Sequence, residues 1–305
     1  MMSRRVSFRF WNESFDFCVY SPKLELSTVA AIMSSPRLLT PQRQRACAGL
    51  HAERWCEPQA WLDPFLMVEH FRMKASTLGP HPHAGLSTVT YLFDDSPQGF
   101  VCRHSLGQTR QLPPGGLHWL CAGRGAMHDE FPSPGPGGAE GLLMLVNLPA
   151  AQKLQAPAAG WLAPEAMPRD AGPGWRRVQV FGGSADMPLA GSTGLAVVDL
   201  DAEAHFTVQL PPDRQGVVIA LRGSGTADGR AWRAGQALAV APGQTLEVGA
   251  RQPLRLACLS GVPLHEPVVR HGPFAMSSEG QVVEALQRFQ SGAMGRLQPR
   301  NSSPE

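Results

Sequence analysis

The sequence predicts an all-β protein built from two copies of one small antiparallel barrel and finished by a short C-terminal helix. Three observations carry this. Gly and Pro, 32 and 28 residues, together make about a fifth of the 305-residue chain, and their turn-forming pairs are spread throughout. One cadence of strand, Gly turn, short strand, Pro/Gly turn and strand runs over 88–123 and returns over 216–243. The first copy alone carries two short histidine motifs, His81-Pro82-His83 and His128-Asp129-Glu130.

Residues 1–34 differ from the rest. The start Met1-Met2-Ser3-Arg4-Arg5 is basic, but Glu13 and Asp16 break up the next stretch and no apolar signal core appears. We expect a disordered extension, or a chain that truly begins at Met33, with a cleaved organellar peptide as the alternative. From residue 35 the strands begin. Asp63-Pro64 leads into Phe65-Leu66-Met67-Val68-Glu69-His70-Phe71, a strand in which His70 is expected as a polar residue at the strand end. His51-Ala52-Glu53 is a His-x-Glu pair expected to be accidental.

His81-Pro82-His83 comes next. Alternate side chains of an extended strand share a face, so His81 and His83 point one way, as do His128 and Glu130. Pro82 cannot donate to a ladder, which places the pair at a strand start or bulge. Thr88-Val89-Thr90-Tyr91-Leu92-Phe93 is rich in β-branched and aromatic residues, and Phe100-Val101-Cys102-Arg103-His104 is a further strand. Pro113-Pro114-Gly115-Gly116 turns into Leu117-His118-Trp119-Leu120, Gly123-Arg124-Gly125 precedes the second motif, and Gly141–Asn147 comes after it as a strand. Two such pairs facing each other inside a barrel put three imidazoles and one carboxylate around a point. This is a candidate metal site, with His81, His83, His128 and Glu130 as ligands and His104 and His118 in reserve.

The stretch 156–174, rich in Ala, Pro and Gly, reads as a linker, so the first barrel is assigned 35–160 and the second 161–295, with a tail at 296–305. The second copy has no His-x-His and no His-x-Glu and is expected to be metal-free. Near the end, Ser278 and Gln281 form a capping box, and Val282, Ala285, Leu286 and Phe289 make an apolar stripe, which predicts a helix packed back on the barrels.

Composition excludes several classes. The net charge of +2, from 24 Arg and 3 Lys against 25 acids, gives no nucleic-acid footprint. No apolar run approaches the roughly 20 residues that span a bilayer, so a soluble, cytoplasmic protein is expected. The six cysteines show no paired spacing and are expected as scattered reduced thiols.

His81-Pro82-His83, Thr88-Val89-Thr90-Tyr91, Trp119, Ala122-Gly123-Arg124-Gly125, His128-x-Glu130, Val146-Asn147-Leu148-Pro149 and Glu266-Pro267-Val268-Val269-Arg270-His271-Gly272-Pro273-Phe274 together resemble the pirins, bicupin proteins of the cupin superfamily. The resemblance covers roughly 35–295. It implies two cupin-type antiparallel barrels face to face and one divalent metal ion in the N-terminal barrel, usually Fe(II), with Zn, Mn, Ni and Cu also suited to such donors. By the match, His81, His83, His128 and Glu130 correspond to the family's four ligands.

The chain departs from the usual pattern in places. Ala84-Gly85-Leu86-Ser87 stands where pirins usually read Arg-Gly-Phe-Glu, His118 where Gln is usual, and Asp129 where Ser is usual. The resemblance implies quercetin 2,3-dioxygenase activity on a flavonol-like substrate with O2, releasing carbon monoxide, with Glu130 as the candidate catalytic base. The other role it implies is a metal-dependent regulatory protein with a protein partner, acting as a transcriptional co-regulator or on a metabolic enzyme, with no direct contact to nucleic acid.

Overall fold

The computed structural model of the protein describes residues 36–43, 49–56, 59–182 and 191–299. The expected extension 1–34, the alternative start at Met33 and residues 300–305 of the tail lie outside them.

The first barrel is two antiparallel sheets. A seven-stranded sheet runs in the order Ala158–Leu162, Leu117–Cys121, Leu86–Leu92, Ala139–Asn147, Phe65–Met73, Leu50–Trp55, Gln42–Arg43. Facing it is a four-stranded sheet ordered His81–His83, Ala126–Pro132, Phe100–His104, Gln108–Leu112. The second barrel repeats the plan. Its seven strands run Arg37–Leu39, Ala237–Val240, Gln215–Arg222, Leu254–Gly261, Thr193–Leu200, Trp175–Phe181, Arg169–Gly172, and its four run His205–Gln209, Thr245–Ala250, Ser224–Ala227, Arg230–Arg233. The internal repeat read from the sequence is a repeat of sheet order.

The central strands of the large sheets are buried on both faces, as the burial of Leu86–Leu92 and of Gln215–Leu221 shows. Alternation explains this. Val89 and Tyr91 turn toward Leu117, Trp119, Met144 and, from the other barrel, Leu195, Val197, Val217 and Ile219 in one continuous core. Thr88 and Thr90 turn the other way, into their own barrel. The barrels therefore pack large sheet on large sheet. A polar cluster closes the edge of this interface: Glu140 accepts from His70 Nε2 (2.9 Å), Arg72 (3.1 Å) and Arg222 (2.7 Å), and Arg222 and Arg255 both reach Asp95. His70 is thus a buried interface residue in mid-strand rather than at a strand end.

Three expectations need correction. The stretch 156–174 is not an open linker, since it carries the strands Ala158–Leu162 and Arg169–Gly172, and the boundary at 160 falls inside the first of them. The chain also crosses between barrels: Arg37–Leu39 is an edge strand of the second barrel's sheet, paired with Ala237–Ala239. Cadence marks strands but not their partners, and edge pairing over 200 residues leaves no local signal. Finally, Cys56 is disulfide-bonded, whereas Cys102, Cys121 and Cys258 are free thiols. Irregular cysteine spacing gives no warning of a pairing that depends on the fold.

The helix Glu279–Gln290 forms as expected. Ser278 accepts from Gln281 N at 3.3 Å, and the Gln281 side chain accepts from Ser277 N, one residue before the cap. Its Val282 and Ala285 pack with Phe274, Met276, Met294, Ala84 and Met127. The helix and the hairpin Val269–His271/Phe274–Met276 thus cover the back of the strands that carry His81, His83 and His128, so residues beyond the second barrel complete the first. Among the described residues no helix is long and apolar enough to cross a membrane.

Candidate metal centre

His81–His83 is a three-residue edge strand, which accommodates Pro82, and it pairs with Ala126–His128 so that His81 lies directly opposite His128. Register brings His81 and His128 together. The three ring centroids are 4.3–5.0 Å apart, and His128 Nε2 sits 2.8 Å from His81 Nε2. His83, two residues on, shares the face of His81, and just past it Gly85 has φ +74° and a Cβ there would meet Ala275 O at 2.1 Å. Only glycine lets the hairpin approach this closely.

Backbone carbonyls fix the tautomers. A carbonyl only accepts, so His81 Nδ1 donates to Gly79 O (2.9 Å) and His83 Nδ1 donates to Pro273 O (3.2 Å). Each ring therefore presents the lone pair of Nε2 to the centre, an arrangement that orients imidazole ligands. Burial keeps the rings uncharged: desolvation lowers His81, takes His83 down to about 3 and lowers His128 well below the usual histidine range. Metal–nitrogen bonds of roughly 2.1 Å place adjacent ligand nitrogens about 3 Å apart, and the 2.8 Å separation of His81 Nε2 and His128 Nε2 matches that spacing. The donor set fits a divalent metal.

Glu130 lines the same cavity but belongs to a different group. Its carboxylate accepts from Thr90 Oγ1 (2.7 Å) and His118 Nδ1 (2.9 Å), and the Cys102 thiol also hydrogen-bonds to it. Cys102, His118 and Glu130 form a second cluster with ligand atoms within 4.8 Å, separate from the three histidines. Burial raises the Glu130 pKa, but the hydrogen bonds from His118, Thr90 and Cys102 outweigh it and hold the carboxyl below its ordinary value. The structure thus gathers three of the four predicted ligands at one point and suspends the fourth from the opposite wall.

His104, held in reserve from the sequence, stacks on His118 at 5.9 Å and stands outside the histidine triad. His118, the other reserve, holds Glu130. Sequence reasoning missed Thr90 and Cys102 as its partners, although period-two alternation from Thr88 marks Thr90 as inward, and the ladder sets Cys102 opposite Glu130. It also missed Lys153, a wholly buried lysine whose Nζ donates to Gly85 O (2.9 Å), Ala275 O (2.8 Å) and Asn147 Oδ1 (2.5 Å). Burial takes that amine down to about 7. It clamps the hairpin that bears Pro273 against the ligand strand, and its scarcity, as one of three lysines, was the available signal. Of residues 84–87, where the chain departs from the usual pattern, none lines the cavity.

Two family models match this chain, "Pirin" over 45–145 and "Pirin C-terminal cupin domain" over 195–295. The chain belongs to the pirin family. A relative in Vibrio cholerae, whose name provisionally assigns it quercetin 2,3-dioxygenase activity, is 30% identical over 245 residues, covering 75% of this chain and 86% of its own. Among solved structures, quercetin 2,3-dioxygenase from Acinetobacter baumannii superposes with a TM-score of 0.74 at 22% identity, covering 86% of this chain and 98% of that one. The Escherichia coli bacterial pirin YhhW in complex with nickel(II) superposes with a TM-score of 0.59 at 17% identity, over 75% of this chain and 99% of that one. The two-barrel cupin architecture of this pirin is therefore the family's.

Proposed function

We propose that this pirin cleaves a flavonol-like substrate with dioxygen, a quercetin 2,3-dioxygenase type of reaction in which both oxygen atoms enter the ring-opened ester and one ring carbon leaves as carbon monoxide. The observation that carries the reading is the convergence of three uncharged imidazoles on the wall of a largely apolar cavity that also holds an ionised carboxylate. The name of the Vibrio relative supports the same chemistry.

His81, His83 and His128 would hold the ion, with Glu130 as the fourth ligand if its carboxylate leaves the opposite wall. Fe(II) is our assignment, and Ni, Mn, Zn and Cu suit the same donors. When bound, the ion would supply Lewis-acid stabilisation of the deprotonated 3-oxygen of the substrate and a means of bringing it beside dioxygen.

The chain's own residues do the rest. Glu130 accepts the 3-hydroxyl proton at its carboxylate, and Thr90, His118 and Cys102 keep that carboxylate ionised and aimed into the cavity until it does. Leu143, Leu145, Met67 and Phe71 provide an apolar bed that excludes water and aligns a planar ring system.

The test is aerobic incubation of the metal-loaded protein with quercetin, tracking loss of the flavonol absorbance and release of carbon monoxide, with His83→Ala as the control. Saturable turnover well above that of the free ion supports the enzyme. Turnover equal to free metal would instead favour a regulatory protein that binds its metal and a protein partner.

A further inference from the structure

We infer that Glu69, held by Arg54, is a specificity-determining residue that recognises a hydroxyl group at the end of the substrate remote from the histidines. The inference rests on the flavonol reading and deepens it. The cavity is lined by Leu50, Met67, Phe71, Leu143 and Leu145 between two polar poles, one at the histidines and Glu130, the other at Glu69 and Arg54.

The register fixes how these poles are related. Across the large sheet, His118 pairs with Thr90, Thr90 with Leu143, Leu143 with Glu69, and Glu69 with Arg54. All five therefore stand in one row on one face. The row begins with the two residues that suspend Glu130 and ends at the Glu69–Arg54 pair. Thr90 and Glu69 are two strands apart, about 10 Å. That is the span of a fused aromatic ring system carrying oxygen at both ends, with Leu143 beneath its middle.

Glu69 is only 4% exposed, and a carboxylate buried in an apolar wall is costly without partners. Arg54 supplies the charge, but both of its hydrogen bonds to Glu69, from Nε at 2.9 Å and Nη2 at 2.5 Å, go to Oε2. Among the described residues nothing hydrogen-bonds Oε1. A carboxylate oxygen that lacks a protein donor, on a residue that lines an apolar cavity, is built to accept from a ligand O–H. A phenolic hydroxyl matches it, whereas a carboxylate on the ligand would be repelled.

The experiment is equilibrium binding without oxygen, using the full-length metal-loaded chain and two probes: quercetin, and 3-hydroxyflavone, which keeps the 3-hydroxyl but lacks the ring hydroxyls. Wild type should bind quercetin at least about 10-fold more tightly, the size of a charge-assisted hydrogen bond. Glu69→Gln should lose most of that preference. The double variant R54M/E69L, which replaces the pair by apolar side chains so that no charge is left buried alone, should bring the ratio to about one while keeping its affinity for 3-hydroxyflavone. A wild-type ratio near one, or an unchanged ratio in the double variant, would overturn the role of Glu69 and leave the flavonol reading standing. If neither probe binds wild type, the flavonol reading itself fails and takes this inference with it.

Discussion

The two barrels share one strand order and differ in what their inward positions carry. In the first, the strand Leu86–Leu92 turns Thr88 and Thr90 inward, and the strand Ala126–Pro132 turns in His128 and Glu130. The corresponding strands of the second, Gln215–Arg222 and Thr245–Ala250, bring Val218 and Ala220, and Leu246 and Val248, into a closed apolar core with Trp232, Val240 and Leu256. The same backbone thus serves as a site when its interior is polar and as a plain hydrophobic core when it is not. The second barrel also lends its large sheet as a backing for the first, through the shared interface core.

The largest effect should come from opening the second core. Trp232→Ala removes a 3%-exposed indole and is expected to cost about 3–5 kcal/mol of stability in chemical denaturation, with the metal content of the folded protein unchanged. Loss of bound metal in proportion to stability would show that the barrels do not divide the labour this way. In the first barrel, Glu130→Gln should lower flavonol turnover about 100-fold while reducing metal content much less. Equal losses would make Glu130 a plain ligand.

The smallest effect concerns the seam between the barrels. Burial alone would raise the Glu140 pKa, but hydrogen bonds from His70, Arg72 and Arg222 take it down to about 2 from an ordinary 4.5. A carboxyl depressed on folding contributes stability that is complete above its unfolded value and is lost as the pH falls toward the folded one. Stability should therefore decline between about pH 4.5 and pH 2, and Glu140→Gln should flatten that part of the profile. An unaltered acid limb in the variant would remove Glu140 from the account.

Much of this was legible in the sequence for a physical reason: short-range periodicity survives in the chain. Alternation put His81 and His83 on one face and turned His128 and Glu130 into the same cavity, though Glu130 groups with His118 and Cys102 there; the repeated turns gave the duplication, and the Ser278 cap with its apolar stripe gave the helix. Long-range pairing does not survive in that form. Nothing local says that Arg37–Leu39 joins the far sheet or that the C-terminal hairpin returns to orient His83 through Pro273 O. The same limit hid the suspension of Glu130, because its partners come from three other strands, Cys102 from the neighbouring strand of its own sheet and Thr90 and His118 from across the barrel.

The central claim is that the first barrel alone holds one ion through its three converging imidazoles. The most direct test is elemental analysis of purified wild type beside the H83A/H128A double variant, with circular dichroism to confirm that both are folded. We predict about one divalent metal ion per wild-type chain and essentially none in the folded variant. A folded variant that retains its full equivalent would contradict the claim.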